Sequence, residues 1–268
     1  MTSYICTTCG TQFQASEQPP EHCPIGEDTR QYIGWGGQGW TTLEALKRTH
    51  KNAFRLAEPN LLGVGTTPSF AIGQRALLVQ TPSGNVLWDC ITLLDEATVQ
   101  IVQALGGITA IAISHPHFYS SMFEWAHAFD APIYLHEANR KWVMRPDAAI
   151  HYWEGDTYSL GDKLTLLRLG GHFTGGTALH WADEAAGRGV ILSGDTLQVT
   201  NDRRYVSFMY SYPNLIPLPA SQVQAIADAL EPYKFDRIYG GWWDRVVVEN
   251  AKESVRQSAR RYISAIAE

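Results

Sequence analysis

From residue 60 onward the chain alternates short apolar runs with turn residues, the pattern of strands first and helices later. Residues 61–64, 69–72, 76–81 and 86–89 are brief, β-rich stretches separated by Gly, Pro or Asn. Pro82-Ser83-Gly84-Asn85 predicts a hairpin turn. Residues 95–105 predict a helix, stopped by Gly106-Gly107. The run Ile111-Ala112-Ile113 reads as a buried strand, followed by a helix over 120–129 and a strand over 132–135. Further strands are expected at 163–168, 177–181 and 189–192, and helices at 221–230 and 251–267. An antiparallel opening followed by strand–helix alternation predicts an α+β chain with two sheets between helices. Upstream, Thr41-Thr42-Leu43-Glu44 predicts a capped helix to about Ala57, with Leu43, Leu46 and Phe54 as its apolar stripe and Pro59 as its end. The expected organisation is an N-terminal segment over 1–40, a linker helix over 41–58 and a main domain over 59–268.

The candidate chemistry sits where these strands end. His115-Pro116-His117 directly follows the strand at 111–113. On an extended backbone, side chains two residues apart share a side, so two imidazoles can converge on one metal ion. Pro116 stiffens the pair. Gly170-Gly171-His172-Phe173-Thr174-Gly175-Gly176 puts another histidine on a glycine-rich loop between strands, and Ser193-Gly194-Asp195 puts a carboxylate just past one. His115, His117, His172 and Asp195 are therefore four candidate ligands on loops leaving strands.

Composition narrows the classes. The chain has 268 residues, 45% of them hydrophobic and 18% charged, which is ordinary for a globular protein. The net charge of -6 argues against a broad nucleic-acid surface. No apolar run approaches the roughly 20 residues that a membrane helix needs, and no signal peptide is visible, so a cytoplasmic location is expected. The expected partner is a small-molecule substrate, with no nucleic acid and no membrane. Nine tryptophans leave aromatics to line a pocket.

Three of the four cysteines cluster near the N-terminus. Cys6-Thr7-Thr8-Cys9-Gly10 is a knuckle that presents two thiolates to one ion, and His22-Cys23-Pro24-Ile25-Gly26 follows it. The segment resembles a rubredoxin-like zinc ribbon, whose second knuckle would carry a cysteine where Gly26 stands. A second, structural zinc held by Cys6, Cys9 and Cys23 would need His22, Glu27 or Asp28 as fourth ligand; otherwise the site has decayed. Cys90 reads as core. The segment also offers a surface for a protein partner or a homodimer.

The order of residues over about 60–245 resembles the metallo-β-lactamase fold superfamily. The resemblance rests on Leu87-Trp88-Asp89, His115-Pro116-His117, Gly171-His172 and Gly194-Asp195. It implies an αββα sandwich with the metal site at one edge of the sheets, and hydrolase chemistry. The family's first motif reads His-x-His-x-Asp-His; here Tyr119 and Ser120 stand in its last two ligand slots, and no late histidine follows near Gly240-Gly241-Trp242-Trp243. The reading is one zinc ion held by His115, His117 and His172, with Asp195 as fourth ligand or as base to the attacking water. Tyr119 is placed to donate to a developing oxyanion, and Arg203, Tyr210 and Trp242 to bind substrate. Asp89 is expected to brace the loops beneath the site. Small esters, thioesters, lactones or phosphoesters are the expected substrates. Two rivals stand beside this: an iron dioxygenase using His115, His172 and Asp195, and a metal-binding interaction protein with a reduced ligand set.

Overall fold

The computed structural model describes residues 1–267; Glu268, the last residue of the expected main domain, lies outside them. The chain divides into two compact units: residues 1–135 with 140–152, and residues 136–139 with those from Trp153 onward.

The first unit carries most of a seven-stranded sheet in the order Lys51–Glu58, Leu61–Thr67, Arg75–Thr81, Gly84–Trp88, Ala110–Ala112, Ile133–His136, Ile150–Trp153. Its first four strands pair antiparallel. The pairs Gly84–Trp88 with Ala110–Ala112 and Ala110–Ala112 with Ile133–His136 are parallel. Parallel neighbours need crossovers, and the helices Glu96–Ala104 and Met122–Phe129 lie between these strands in sequence. The first helix begins where the Asp95 carboxylate accepts the Thr98 N–H at 2.8 Å. Leu77, Leu78, Val79, Leu87, Trp88 and Ile111 are all buried, so these strands read as apolar runs rather than alternations.

Two elements differ from the sequence reading. The helix at Leu43–Thr49 is capped by the Thr42 hydroxyl, as expected, but ends at His50. Residues Lys51–Glu58 form a strand in place of the helix's second half, because they pair in register with Leu61–Thr67, from Lys51 opposite Thr67 to Glu58 opposite Leu61. Backbone pairing here overrides local propensity. Residues 69–72 are not a strand: the Gly73 N–H turns back onto the Phe70 carbonyl, and Ala71 is left-handed at φ +52°.

The N-terminal segment packs within the first unit. Cys6, Cys9, Phe13, Cys23 and Ile25 form a buried cluster with Trp40, Trp142 and Met144 against it. Ile5, Leu46 and Leu93 form another.

The second unit carries a six-stranded sheet in the order Thr157–Gly161, Leu164–Arg168, Thr177–Trp181, Val190–Gly194, Arg237–Gly240, Val246–Val247. Val190–Gly194 and Arg237–Gly240 are parallel. Val223, Ile226 and Leu230 of the helix Ala220–Leu230 and Val255 and Ala259 of the helix Ala251–Ile266 pack with Leu167, Ile191 and Ile238 of the sheet in one core. The i, i+3, i+7 spacing of the first helix is the apolar stripe that burial requires. Each such aliphatic side chain contributes about 1.5–3 kcal/mol on burial. No helix among the described residues is long and apolar enough to cross a membrane.

Candidate metal centre

The histidine pair leaves the C-terminal end of Ala110–Ala112, a parallel strand, which is where open sheets of this kind place ligands. Asp89 braces the departure. Its carboxylate accepts the Ser114 N–H at 2.8 Å, and its own N–H donates to the Ala112 carbonyl at 2.8 Å. Asp89 is buried and left-handed at φ +59°, a conformation that Asp and Asn tolerate better than most residues.

His115 is extended, but His117 is not. Pro116–Phe118 is a single 3₁₀ turn, closed by the Phe118 N–H on the His115 carbonyl at 3.0 Å. A turn therefore brings the rings together, in place of the alternation along a strand that the spacing suggests. Pro116 at its first position has the fixed φ that starts such a turn. The His117 N–H donates to His115 Nδ1 at 3.3 Å, and the two rings meet edge to face at 5.2 Å.

His172 sits on the turn between Leu164–Arg168 and Thr177–Trp181, where Gly170 and Gly171 are left-handed. A Cβ at Gly171 would lie 2.8 Å from Ile226 Cδ1, so glycine lets the loop lie against the second core. His172 Nδ1 is 3.2 Å from the Met209 carbonyl. A carbonyl only accepts, so Nδ1 carries the proton and Nε2 keeps its lone pair for a metal. Asn139 holds the far side of this loop by accepting the Gly175 N–H at 3.1 Å.

Asp195 follows Val190–Gly194. Tyr212 donates its hydroxyl to the Asp195 carbonyl at 2.8 Å and packs 5.8 Å from the His172 ring. Burial, and then the nearby Asp195 charge, hold the Tyr212 phenol well above its ordinary range, so it stays a donor.

His115, His117, His172 and Asp195 are all buried, and each offers a ligand atom within 4.8 Å of the others. Ligands ~2.0–2.1 Å from one ion lie about 3.4 Å apart in a tetrahedron, so this spacing fits a single centre. Three imidazoles and a carboxylate are also the donor set that zinc and iron accept. The donors present fit a bound ion.

The vacated ligand slots have other uses. Tyr119 is 1% exposed and its hydroxyl has no hydrogen-bond partner. Burial first, and then Tyr152, push its phenol well above the ordinary range. Ser120, left-handed at φ +48°, accepts from Gln74 Nε2 at 2.9 Å and donates to the Cys90 carbonyl at 3.3 Å. Its carbonyl takes the Gln12 N–H at 2.9 Å, which ties the N-terminal segment to the ligand loop.

The expected substrate contacts, and the other histidines and the glutamate near the site loops, are placed as follows. Arg203 lies on an exposed turn whose N–H closes onto Thr200. Tyr210 packs against the second core, and Trp242 is half-buried. Glu124 pairs with Arg145 at 2.8 Å rather than with any ligand. His136 and His180 are bonded to the carbonyls of Gly155 and Lys234, and burial lowers the pKa of both. His127 pairs with Asp147, and His151 stacks on Tyr134. Tyr212, Asn139 and the Met209 carbonyl carry no sequence signal for their roles, except that Tyr212 lies in the aromatic run after Asp195.

At the N-terminus Cys6, Cys9 and Cys23 form a second group of ligand atoms within 4.8 Å, all three fully buried. The fourth ligands that the sequence suggests turn elsewhere. His22 is 66% exposed and pairs with Glu27, whose carboxylate also accepts the Cys23 N–H. Asp28 pairs with Arg30 at 2.6 Å. Short-range partners within the loop satisfy these groups.

Comparison with known proteins bears on the family and the fold. The family model of the metallo-beta-lactamase superfamily matches residues 71–242. An uncharacterized protein of Bacillus subtilis (strain 168), YmaE, is 52% identical over 268 residues, covering 99% of this chain and 97% of its own length. Among solved structures, VMB-1 at pH 5.5 superposes with a TM-score of 0.60 at 12% identity, covering 81% of this chain and 98% of its own. The DIM-1 metallo-beta-lactamase gives 0.59 at 13%, covering 79% and 98%. A Cronobacter sakazakii metallo-beta-lactamase with a HARLDQ motif gives 0.52 at 16%, covering 84% and 96%. These structures establish the αββα fold. The family match covers strands of both sheets and all four clustered residues, and this chain belongs to the metallo-beta-lactamase superfamily.

Proposed function

We propose that the chain is a hydrolase working with one ion, zinc, held by His115, His117 and His172, with Asp195 beside the open fourth position that a water would fill. The observation that carries this is the four buried ligand atoms within 4.8 Å of one another. A zinc ion bound there would lower the pKa of its water toward ~7 and polarise a carbonyl or phosphoryl oxygen. The Asp195 carboxylate takes the proton of the attacking water. Tyr119, kept protonated by burial, donates its hydroxyl hydrogen to the oxyanion that develops. The Met209 carbonyl and Asp89 hold the ligand loops in register, so little reorganisation is needed at the moment of reaction. A small ester, thioester, lactone or phosphoester is the substrate class, with Arg203, Tyr210 and Trp242 as the residues proposed to contact it.

The test is metal analysis of native protein beside hydrolysis of a panel of those four bond types. Zinc with turnover, one equivalent of the zinc and all of the turnover lost in His172→Ala, supports the reading. Two histidines and a carboxylate also make an iron site, so iron with oxygen uptake would replace it by an oxygenase. Weak metal binding and no turnover would make the chain a binding protein.

A further inference from the structure

The three buried cysteines are ringed by hydrogen-bond donors. Cys9 Sγ and Cys23 Sγ are 3.6 Å apart, and sulfurs ~2.3 Å from one ion in a tetrahedron stand about 3.8 Å apart. The Gly26 N–H donates to Cys23 Sγ at 3.2 Å, and the Gln38 amide N–H donates to Cys6 Sγ at 3.3 Å. The Thr11 hydroxyl oxygen lies 3.3 Å from Cys9 Sγ. Donors aimed at a sulfur favour its thiolate form. Three thiolates shut away from water need a cation among them.

The same knuckle grips the loop that carries His117. The Gly10 N–H returns to the Cys6 carbonyl at 2.9 Å, and the Cys6 N–H donates to the Thr11 carbonyl at 3.0 Å, so Thr11 is locked to the first cysteine. The next residue, Gln12, donates its backbone N–H to the Ser120 carbonyl at 2.9 Å. That N–H takes no part in the bridge between Ile5 and Gln12, whose bonds are Cys6 N–H to Thr11 and Phe13 N–H to Tyr4. Ser120 needs such a hold. It is left-handed at φ +48°, which a serine keeps only where its surroundings over-determine it. Gln74 Nε2 holds its hydroxyl as well, at 2.9 Å. Ser120 follows Tyr119, whose N–H closes the turn Pro116–Phe118 onto the Pro116 carbonyl. A slack Ser120 would therefore loosen the turn that sets His117.

We propose that Cys6, Cys9 and Cys23 hold a zinc ion that braces the histidine centre, acting through the Gln12 N–H on the Ser120 carbonyl. Of the ions that thiolates select, divalent zinc leaves less buried charge than copper(I). Gln12 and Ser120 are positioning residues, which act on the ligand loop and not on the reacting atoms. The brace rests on the one-ion reading of the histidine centre; the cysteine ion does not.

The test uses the full chain with cobalt(II) as the probe at both sites, because thiolate-to-cobalt charge transfer marks the cysteines and is lacking at a histidine–carboxylate centre. Affinity at each site is read by chelator competition. Cys23→Ser should abolish the charge-transfer band and weaken the histidine centre by about tenfold, the lower end of what lost support for a ligand costs. Gln12→Pro removes the N–H and the side chain, and should weaken the histidine centre as much while the band stays. Gln12→Ala keeps the N–H and loses only the bond from Arg145, and should leave that affinity unchanged. In the Gln12→Pro background, Cys23→Ser should add little. Linkage makes the effect mutual, so His172→Ala should loosen cobalt at the cysteines by about the same factor. A wild-type chain without the charge-transfer band overturns the cysteine ion. An unchanged histidine centre in Cys23→Ser overturns the brace, and fully additive losses in the double variant overturn its route through Gln12. A wild-type histidine centre that takes no cobalt fells the one-ion reading and the brace with it, while the band still reports the cysteine ion. Should Cys23→Ser not fold, the Gln12 pair decides: loss in the proline variant alone supports the brace, and equal affinities refute it.

Discussion

Tyr119→Phe separates stability from chemistry at one atom. The hydroxyl is buried without a hydrogen-bond partner, and the rest of the ring is packed. Burying such a group costs about 1–3 kcal/mol of desolvation that no protein hydrogen bond returns. Replacing it with hydrogen, at almost the same shape, should raise stability by about 1 kcal/mol, since some strain and water release will absorb part of the gain. If the same hydroxyl donates to a developing oxyanion, its loss should lower kcat by ~10²–10³. The two effects have opposite signs, which no simple packing role produces. Urea unfolding of the chelated protein, with the midpoint compared at constant m, reads the first. The turnover of a substrate from the ester and phosphoester panel reads the second. A variant that is less stable by more than about 1 kcal/mol, or that keeps full kcat, refutes the reasoning.

Other outcomes follow from the loops. Asp89→Ala removes the acceptor of the Ser114 N–H and should weaken metal binding at the histidine centre by ~10–100-fold, whereas Asp89→Asn should restore most of it; equilibrium dialysis distinguishes them. Gly171→Ala places a Cβ 2.8 Å from Ile226 Cδ1 at a φ of +73°, and should lower stability by about 1–3 kcal/mol in thermal unfolding. His180 is held neutral by burial, so its folded pKa lies below the unfolded value of about 6.5. Its share of stability is full above that pH and is lost as pH falls toward the folded value, because the unfolded chain then binds the extra proton. His180→Gln, which keeps an N–H for the Lys234 carbonyl, should flatten the fall in urea midpoint between pH 7 and 5 relative to wild type.

The clustering of four metal-capable side chains was legible because its signals are local. His115, His117, His172 and Asp195 each follow a strand, and the paired glycines around His172 mark a loop lying against other chain. What holds those ligands was not legible. Tyr212 reaches the Asp195 carbonyl across 17 residues and Asn139 reaches Gly175 across 36, and neither contact has a periodicity to betray it. Lys51–Glu58 follows a well-capped helix with only His50 between, so local signals favoured one long helix; only its partner strand Leu61–Thr67 explains the switch. The 3₁₀ turn at Pro116–Phe118 escaped for a related reason: His-x-His spacing fits an extended chain and a tight turn equally well. At the second knuckle, proximity in sequence pointed to His22, Glu27 and Asp28, but His22 pairs with Glu27 and Asp28 with Arg30.

Metal stoichiometry of the purified full chain tests the central claim most directly. With one ion at the histidine centre and one at the cysteines, mass spectrometry of metal-replete protein should count two per chain. Cys23→Ser should leave one, still lost in combination with His172→Ala. A Cys23→Ser chain that retains two ions, or a His172→Ala variant that loses none, would contradict a single-ion centre built from His115, His117, His172 and Asp195.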